Sequence, residues 1–597
     1  MVSDLLRRMI QALYAFGWVV PRICLTLALS LTLFQGKTQN APASTEAINE
    51  FATILKNQPQ AQPLEILDLS EIHIQIYWIY PDRRASRIFL NRIVDYVGDQ
   101  RVSIVYHWEW PESIPSSDQD IPIIIYDSQM ETPAWFPGTG GYKIRIGGNT
   151  GATPGTLYLP HAGTESMDLA AQFIMNGIKL DNSGQISTGT RVSYLSAGYF
   201  GLDEDYLTHQ LDSILQLGLD SNAYPGAMVS IAYKGSVIYQ KAIGYHTYED
   251  TYLVRNHDLF DLASVTKITA GVNALMFLYD DEKFNLHKNL EDYFPYFKNT
   301  NKGELGLIRI LTHSAGLTPY LVYYSMAQKD NGKYRRNTLA RTNYGDYHYA
   351  VTDSIFVSDR FSDFIYRAIK DTPIKPGHNY EYSGLFFLLI PDLIEEMEEM
   401  PLDRYLEKSL FDPLGAHHTA FNPAHTYPIN QIIPTEVDQV WRNQLVHGGV
   451  HDEAAAVLGG VSTNAGLFST GPDLIKIAET WRRGGEFGGK RYWSEETIQV
   501  FTQCYFCDEG NRRALGFDRP PLPDHDYVSY MSPLASQQSY GHSGFTGTML
   551  WVDPAVDYSF VFLSNRVHPT RENSKLYSLN IRPALHSVLY QALERSK

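Results

Sequence analysis

Cysteine is scarce in this chain of 597 residues, which contains only three. Cys24 lies in the apolar N-terminal segment, and Cys504 and Cys507 form the single CxxC pattern of "QCYFCDE". A zinc site needs a second such pair, and a redox motif needs a neighbouring strand–helix–strand pattern. Because the sequence offers only one pair, we predict a local disulfide in an oxidising compartment or two inert thiols.

Positive charge is also in short supply. The chain has 49 Lys and Arg residues against 66 Asp and Glu residues, which gives a formal net charge of −17. A nucleic-acid surface needs clustered Lys and Arg, so we expect no nucleic-acid partner. Hydrophobic residues make up 44% and aromatic residues 13% of the chain, as in folded globular proteins, and the length predicts two or three domains.

The N-terminus has no unbroken apolar run of the ~20 residues that a membrane-spanning helix needs. Pro21 and Arg22 divide the apolar stretch, which leaves "ICLTLALSLTLF" between a basic flank and the small residues near Ala41. A basic flank, a short apolar core and a small-residue exit are typical of an export signal. We therefore predict that residues 1–40 are a signal peptide, with a membrane anchor as the alternative. The protein would then be exported to the periplasm or cell envelope, attached to the membrane in the second case.

The composition divides the remaining chain into three parts. Residues 41–68 are polar, with scattered Pro and Gln, and are predicted to be a linker. Residues 69–195 alternate strand-like runs such as "IHIQIYWIY" and "IPIIIYD" with helical spacing, which predicts a small α/β domain. Residues 196–597 begin with a helix and the hairpin "AMVSIAYKGSVIYQKAIGY" and end with the hairpin "GTMLWVDPAVDYSFVFLSN" and a helix. This layout predicts one sheet built from both ends of the segment, with helices inserted between them.

Chemistry is suggested by "SVTK", which places Lys267 three residues after Ser264 at the start of an amphipathic helix. Residues three apart on a helix are neighbours, so the amine would lie beside the hydroxyl. A desolvated amine beside a hydroxyl is a base beside a nucleophile. The alternative is that Ser264 is an ordinary helix cap and Lys267 a lysine that extends along the surface.

Three motifs in order resemble those of the serine β-lactamase and penicillin-binding protein superfamily, especially class C β-lactamases and related esterases. They are "SVTK" at Ser264, "YSG" at Tyr382 and "HSG" at His542. The flanks "ILTHSAGL", "NAGLFSTGPDL" and "YGHSGFTGTMLWVDP" are similar as well. The resemblance implies a β-lactamase/transpeptidase-like domain, with a central antiparallel sheet flanked by helices plus an all-helical region. The whole chain would then be an α/β protein in which this domain follows the small α/β domain.

The resemblance also implies a set of roles. Ser264 attacks an acyl carbon, and Lys267 and Tyr382 share the removal and return of its proton. His542 supports the hydrogen-bond network on the tyrosine side and offers positive charge to a substrate anion. The backbone N–H groups of Ser264 and Phe545 form the oxyanion hole, and the strand residues Ser543 and Gly544 bind substrate. No metal or organic cofactor is needed.

Two features of the triplets bear on this assignment. "YGD" at Tyr344 competes with "YSG" at Tyr382, but it lies in a Tyr-rich polar insertion, whereas Tyr382 precedes an apolar helix. Gly384 stands where the family usually has Asn or Asp, which makes esterase or D-amino-acid peptidase or amidase turnover more plausible than β-lactam hydrolysis. The expected function is therefore an exported serine acyl hydrolase acting on a small-molecule or peptide acyl substrate, which could derive from the cell wall. The alternative is a weak or inactive binding protein that keeps the fold.

Two other functions are considered and set aside. His447, His451 and Asp452 in "VHGGVHDEAA" could suggest a metal site, but the glycines disfavour the helix that an HxxxH ligand pair needs. The C-terminal half is also similar to serine-hydrolase modules fused to family-three glycoside hydrolases. The chain before residue 200 has no room for a catalytic barrel of about 250 residues, so glycosidase activity is not expected. The 69–195 segment is then interpreted as a remnant of an accessory domain in such fusions.

Overall fold

The computed structural model describes residues 42–596, except for residues 65–67, 71, 81–84, 108–119, 128, 131–141, 148–155, 250–251, 353 and 524–528. The predicted signal peptide or anchor, residues 1–40, lies outside the described residues. From Ala41 onward the chain forms one compact unit. No helix within the described part is long and apolar enough to cross a bilayer.

The first sheet is parallel and lies in the predicted small α/β segment. Its strands have the spatial order β2-β1-β3-β4-β5, where β1 is His73–Trp78, β2 Val102–Tyr106, β3 Asp120–Asp127, β4 Tyr142–Ile146 and β5 Thr156–Leu159. Parallel neighbours need a long crossover, and the helix Ser86–Val97 provides it between β1 and β2. Isoleucines of β1, β3 and β4 are buried in the same hydrophobic core as residues of this helix and of the helix Thr164–Ile174. The predicted alternation of strands and helices is therefore present.

The linker predicted over residues 41–68 is wrong for its first half. Thr45–Lys56 is a helix, capped by the Ser44 side chain, which accepts a hydrogen bond from Ala47 N at 3.3 Å. Its apolar face is buried, and the ring of Phe51 makes an edge contact with Phe173 at 6.4 Å. Polar residues on the opposite face made the segment resemble a linker, although its apolar residues recur at helical spacing.

Removing the Phe51 side chain tests whether this helix is part of the folded unit. Phe51 is 1% exposed, so Phe51→Ala is expected to lower the free energy of unfolding by about 3 kcal/mol through lost burial and the cavity left behind. Asn49→Ala, on the exposed face of the same helix, is the matched control and should change it little. Urea unfolding of both variants measures the difference, and equal stabilities would mean that the helix contributes nothing.

Charged contacts join this first region to the rest of the chain. His257 Nε2 lies 3.1 Å from Asp95 Oδ1, and His418 Nε2 lies 2.9 Å from Asp99 Oδ1. Arg483 Nη1 donates to the carbonyl of Thr190 at 2.7 Å. These contacts explain why the chain from Ala41 is one compact unit. The boundary at residues 195 and 196 stays a prediction.

The second sheet is antiparallel and combines both ends of the 196–597 segment, as predicted. Its spatial order is β8-β9-β10-β6-β7, where β6 is Gly226–Tyr233, β7 Ser236–Gly244, β8 Tyr540–Ser543, β9 Met549–Asp553 and β10 Tyr558–Ser564. Lys234 and Gly235 both have positive φ, of 51° and 81°, as a tight two-residue hairpin turn requires. The helices Glu204–Asp220 and Ile581–Arg595 pack together on one face, and Gly471–Arg482 packs on the other.

The chain between these strands contains many short helices, as predicted for the inserted region. Its α-helices are Asn273–Asp280, Leu290–Tyr293, Leu307–Leu311, Tyr323–Met326, Phe361–Lys370, Ile390–Glu398, Leu402–Leu406, Asp412–Leu414, Glu453–Ala456, Gly471–Arg482 and Glu495–Thr502. Lys575–Ser578 is a further short helix, after the second sheet.

Short sheets accompany these helices. A three-stranded sheet combines Leu339–Ala340, Ile355–Ser358 and Tyr347–Thr352, and another combines Phe260–Asp261, Leu467–Ser469 and Ala420–Phe421. Two-stranded pairs are Ile178–Leu180 with Ile186–Thr188, Val437–Asp438 with Gln444–Leu445, and Glu486–Phe487 with Lys490–Arg491.

Candidate active site

Ser264 lies in a tight turn between a short strand and a helix. The strand Phe260–Asp261 pairs with Leu467–Ser469, and the turn Ala263–Val265 follows directly. Ala263 has a φ of +46°, a left-handed backbone conformation that residues other than glycine seldom adopt. The Asp261 carboxylate accepts a hydrogen bond from Ala263 N at 2.8 Å and holds this turn. Strained backbone of this kind clusters at functional sites.

Lys267 meets the serine as the spacing predicts. Its Nζ lies 3.2 Å from Ser264 Oγ and donates to the carbonyl of Asn464 at 2.7 Å. The lysine is only 2% exposed and begins a π-helical turn, Lys267–Val272, ahead of the helix Asn273–Asp280. The alternative of a surface lysine therefore does not apply, because the amine is buried against the hydroxyl and a carbonyl.

Tyr382 lies over the lysine. Its ring centroid is 5.3 Å from Lys267 Nζ and 5.8 Å from the ring of His542. The rival Tyr344 is 58% exposed, and its ring lies tilted against that of Tyr347, 5.0 Å away, beside the small sheet formed by residues 339–358. The structure thus brings Tyr382, not Tyr344, to the serine and lysine.

The strand β8 and the turn after it pack against the turn that carries Ser264. Thr548 Oγ1 donates to the carbonyl of Leu262 at 2.9 Å and ties the turn after β8 to the serine turn. A Cβ atom on Gly544 would lie 2.4 Å from that same carbonyl oxygen, so only glycine permits this approach. Ser543 ends the strand, and Phe545, 48% exposed, stacks on His451 at 5.8 Å. Ser543, Gly544 and Phe545 therefore lie against the serine turn.

The expectation that His542 offers a positive charge is wrong, because its surroundings keep the imidazole neutral. Burial, followed by the charges of Arg513 and Lys267, lowers the pKa of His542 to about 3, so the imidazole is neutral at neutral pH. Its Nδ1–H donates to the Ser543 carbonyl at 2.7 Å, which leaves Nε2 as an acceptor. His542 can therefore support the tyrosine network but supplies no cation.

The cation beside Tyr382 is Arg513, which no sequence motif marks. Its guanidinium carbon lies 5.4 Å from the Tyr382 ring centroid, its Nη2 donates to Tyr380 OH at 2.9 Å, and its Nε lies 3.4 Å from Asp518 Oδ1. Arginine stays charged in proteins, so Arg513 places a permanent cation beside the Tyr382 ring.

Two further residues of the site lie in flanks that the sequence analysis quoted without giving them roles. The ring of His313 lies 4.6 Å from that of Tyr382, and its Nδ1 accepts a hydrogen bond from Ser383 N at 3.3 Å. Asn464 accepts from the Lys267 amine through its carbonyl. Only the folded arrangement reveals these contacts, because the partners are far apart in the chain.

Several buried polar atoms of this cluster have no hydrogen-bond partner in the described part of the chain. They are Tyr382 OH, His542 Nε2, His313 Nε2 and Arg513 Nη1. Buried polar groups are normally paired, so a concentration of unpaired ones indicates a site built to bind a polar ligand.

The residues considered for a metal make separate contacts. His447 Nε2 lies 2.8 Å from the carbonyl of Ile432, and His451 Nε2 lies 2.9 Å from Glu436 Oε2. Asp452 caps the helix Glu453–Ala456, accepting from Ala455 N at 2.8 Å. Within the described ranges, no group of three or more His, Cys, Asp or Glu residues could hold a metal ion.

The buried neutral histidine has a consequence for stability. The pKa of His542 is about 3 in the folded protein, whereas that of an unfolded histidine is about 6.5, so the unfolded state binds more protons between these values. Stability is therefore lost as the pH falls from about 6.5 toward 3. Between pH 7 and pH 4.5, we expect the free energy of unfolding of His542→Asn to fall by about 2 kcal/mol less than that of wild type. Urea unfolding at both pH values measures this, and identical losses would contradict a neutral His542.

Comparison with known proteins identifies the family of this chain. A family model described as "Beta-lactamase" matches residues 211–581. A curated protein of Salmonella agona (strain SL483), named "Putative D-alanyl-D-alanine carboxypeptidase", is 30% identical over 407 residues, which cover 63% of this chain and 86% of that protein. The chain therefore belongs to the β-lactamase family, and the predicted family and fold class are confirmed.

Solved structures show lower similarity. A structure described as a class C β-lactamase aligns with 65% of this chain and 97% of its own, at 16% identity and a TM-score of 0.47. A penicillin-binding protein homologue from Caulobacter crescentus aligns with 65% of this chain and 98% of its own, at 15% identity and a TM-score of 0.46.

Proposed function

We propose that the protein is an exported serine acyl hydrolase that works through a Ser-Lys-Tyr acyl-enzyme mechanism. The observation that carries this proposal is the 3.2 Å contact between the buried Lys267 amine and the Ser264 hydroxyl. A nucleophile and a base within hydrogen-bond reach, with a third group orienting them, is the arrangement that covalent catalysis needs. Tyr382, over the amine, is that third group.

The reaction has two halves. Ser264 Oγ forms a bond to the acyl carbon while its proton passes to the Lys267 and Tyr382 pair, and the same pair returns a proton to the leaving group. Water then attacks the acyl carbon and gives a proton to the same pair, the acyl–Oγ bond breaks, and the pair returns that proton to Ser264 Oγ as the acid product leaves. Arg513 keeps a positive charge beside Tyr382 during these transfers, and the neutral His542 presents Nε2 as a hydrogen-bond acceptor.

The oxyanion hole is assigned to the backbone N–H groups of Ser264 and Phe545. The close packing of Gly544 against Leu262 and Ala263 supports this assignment, because it brings the chain at residue 545 to the serine turn. Each such donor is typically worth about 3 kcal/mol in the barrier. Ser543 and Gly544 would hold the substrate along the edge of β8.

The substrate class follows from two observations. The curated relatives are named for a carboxypeptidase acting on D-alanyl-D-alanine, and Arg513 offers a buried guanidinium with an unpaired Nη1 in the described site. These favour esters and D-amino-acid peptides or amides. Gly384 removes the side chain that usually completes the tyrosine triplet, so we expect β-lactam turnover to be weak.

Export is supported by the N-terminal pattern and by the disulfide between Cys504 and Cys507. Disulfides persist in oxidising compartments and are rare in the cytosol. Of the two outcomes predicted for this cysteine pair, the structure contains the disulfide. The periplasm or cell envelope is the proposed location.

A substrate panel tests the proposal. Short-chain aryl esters, D-Ala-D-Ala peptides and a chromogenic cephalosporin are incubated with wild type and with Ser264→Ala. We expect turnover of at least the esters by wild type alone. An enzyme that hydrolyses none of them, and whose Ser264 resists covalent probes, would favour the alternative of a binding protein that keeps the fold.

A further inference from the structure

A cavity of about 240 Å³ lies beside the proposed catalytic residues. Gly384 and Asn464 are among the residues that line it. Its other polar and aromatic lining residues are Tyr320, Tyr323, Tyr324, Asp452, Glu453 and Arg571. None of the roles assigned so far uses these six side chains for binding.

Asn464 connects this cavity to the catalytic lysine. Its carbonyl accepts from Lys267 Nζ at 2.7 Å, and its side-chain Nδ2 donates to Asp452 Oδ1 at 2.9 Å. Gly384 leaves the space between the cavity and the site open, because a Cβ atom there would meet nothing nearer than Asn464 Cβ at 3.9 Å. A substituent on a substrate bound at Ser264 can therefore extend into the cavity.

The cavity carries an uncompensated negative charge. Arg571 is paired with two carboxylates, since its Nη2 lies 2.6 Å from Glu436 Oε2 and 2.9 Å from Glu453 Oε1. Asp452 accepts hydrogen bonds from Ala455 N and Asn464 Nδ2 but has no cationic partner in the described part of the chain. The cavity is therefore suited to a positively charged group.

Tyr323 adds a second, independent feature. It is 2% exposed, and its hydroxyl has no hydrogen-bond partner within the described residues. Burial, with a smaller contribution from Asp452, raises the pKa of Tyr323, so the hydroxyl stays neutral and can accept from a donor. The rings of Tyr320 and Tyr324 also line the cavity, and aromatic faces attract cations.

We propose that this cavity binds a substrate ammonium group through Asp452 and Tyr323, so that the enzyme prefers acyl groups bearing a free amine to their N-acylated counterparts. The proposal rests on the acyl hydrolase function and defines its substrate class as amino-acyl esters or amides. A carboxylate in the same place would be repelled by Asp452. A purely apolar group would leave Asp452 without a cationic partner and the Tyr323 hydroxyl without a hydrogen-bond partner.

The test measures binding separately from turnover. Ser264→Ala protein, which cannot be acylated, is titrated by calorimetry at pH 6.5 with glycine 4-nitroanilide and with N-acetylglycine 4-nitroanilide. We expect the free amine to bind at least about ten-fold more tightly, as a charge-assisted hydrogen bond allows. Adding Asp452→Asn, which keeps the size and the accepting oxygen, should reduce this preference to within about two-fold.

Two further variants make the result interpretable. Tyr323→Phe removes only the hydroxyl and should lower the preference for the free amine by a few-fold. This variant tests the proposal if Asp452→Asn impairs folding. Asp281→Asn, an exposed carboxylate paired with Lys283, is the control and should leave the preference unchanged. Equal affinities, a preference for the acetylated compound, no binding of either compound, or a preference that survives both Asp452→Asn and Tyr323→Phe would each overturn the proposal. Ester turnover by wild type is measured independently, so failure here does not affect the proposed acyl hydrolase function.

Discussion

Ser264→Ala is expected to lower the turnover of a good aryl ester by at least about 10⁴-fold, to the level of the uncatalysed reaction plus oxyanion-hole assistance. The hydroxyl is the atom that would form the acyl bond, and alanine provides nothing that can replace it. The effect should fall on kcat, because the strand wall and the cavity still bind substrate. Initial rates over a range of ester concentrations measure it.

Ser314→Ala is the matched control for this variant. Ser314 is buried near the site, where its hydroxyl lies 3.0 Å from Thr312 Oγ1 and faces neither Lys267 nor Tyr382 in the contacts described. We expect it to keep most of the wild-type rate. Turnover that survives Ser264→Ala would mean that another residue is the nucleophile.

Lys267→Met should have the second-largest effect, a loss of about 10²–10⁴-fold in kcat. Methionine has a similar length and suits the buried position, which is 2% exposed, but it cannot accept the proton from Ser264. The loss therefore reports the chemistry of the amine more than the packing of the turn. Circular dichroism and urea unfolding check that the variant folds.

Lys267→Arg separates the two ways in which the amine could act. Arginine keeps the positive charge but does not give up its proton in proteins, so it cannot serve as a base. If Lys267 is the base, both variants lose activity to a similar extent. If the arginine variant keeps most of its activity while the methionine variant does not, the residue acts through its charge alone.

The parts of the fold that sequence predicted are those that depend on local pattern. The hairpin turn at Lys234 and Gly235 and the placement of Lys267 beside Ser264 follow from spacings of a few residues. The motif order placed Tyr382 and His542 in the same site, although each lies more than a hundred residues from the preceding motif. That step depended on the family resemblance and not on periodicity.

The parts that sequence missed depend on contacts between distant segments. His542 is neutral because burial and the charge of Arg513 lower its pKa, and no sequence motif marks Arg513. Asn464 joins Lys267 to Asp452 through its carbonyl and its side-chain amide, and this link is visible only in three dimensions. The polar residues of Thr45–Lys56 predict a linker, although the segment is a helix whose apolar face is buried.

Covalent labelling tests the central claim most directly. The wild-type protein is treated with a fluorophosphonate probe, digested, and analysed by mass spectrometry to locate the adduct. Capture of the phosphorus by the hydroxyl beside the buried amine predicts a single modified peptide, with the added mass on Ser264. Modification of a different serine, or no modification while ester hydrolysis continues, would contradict the account.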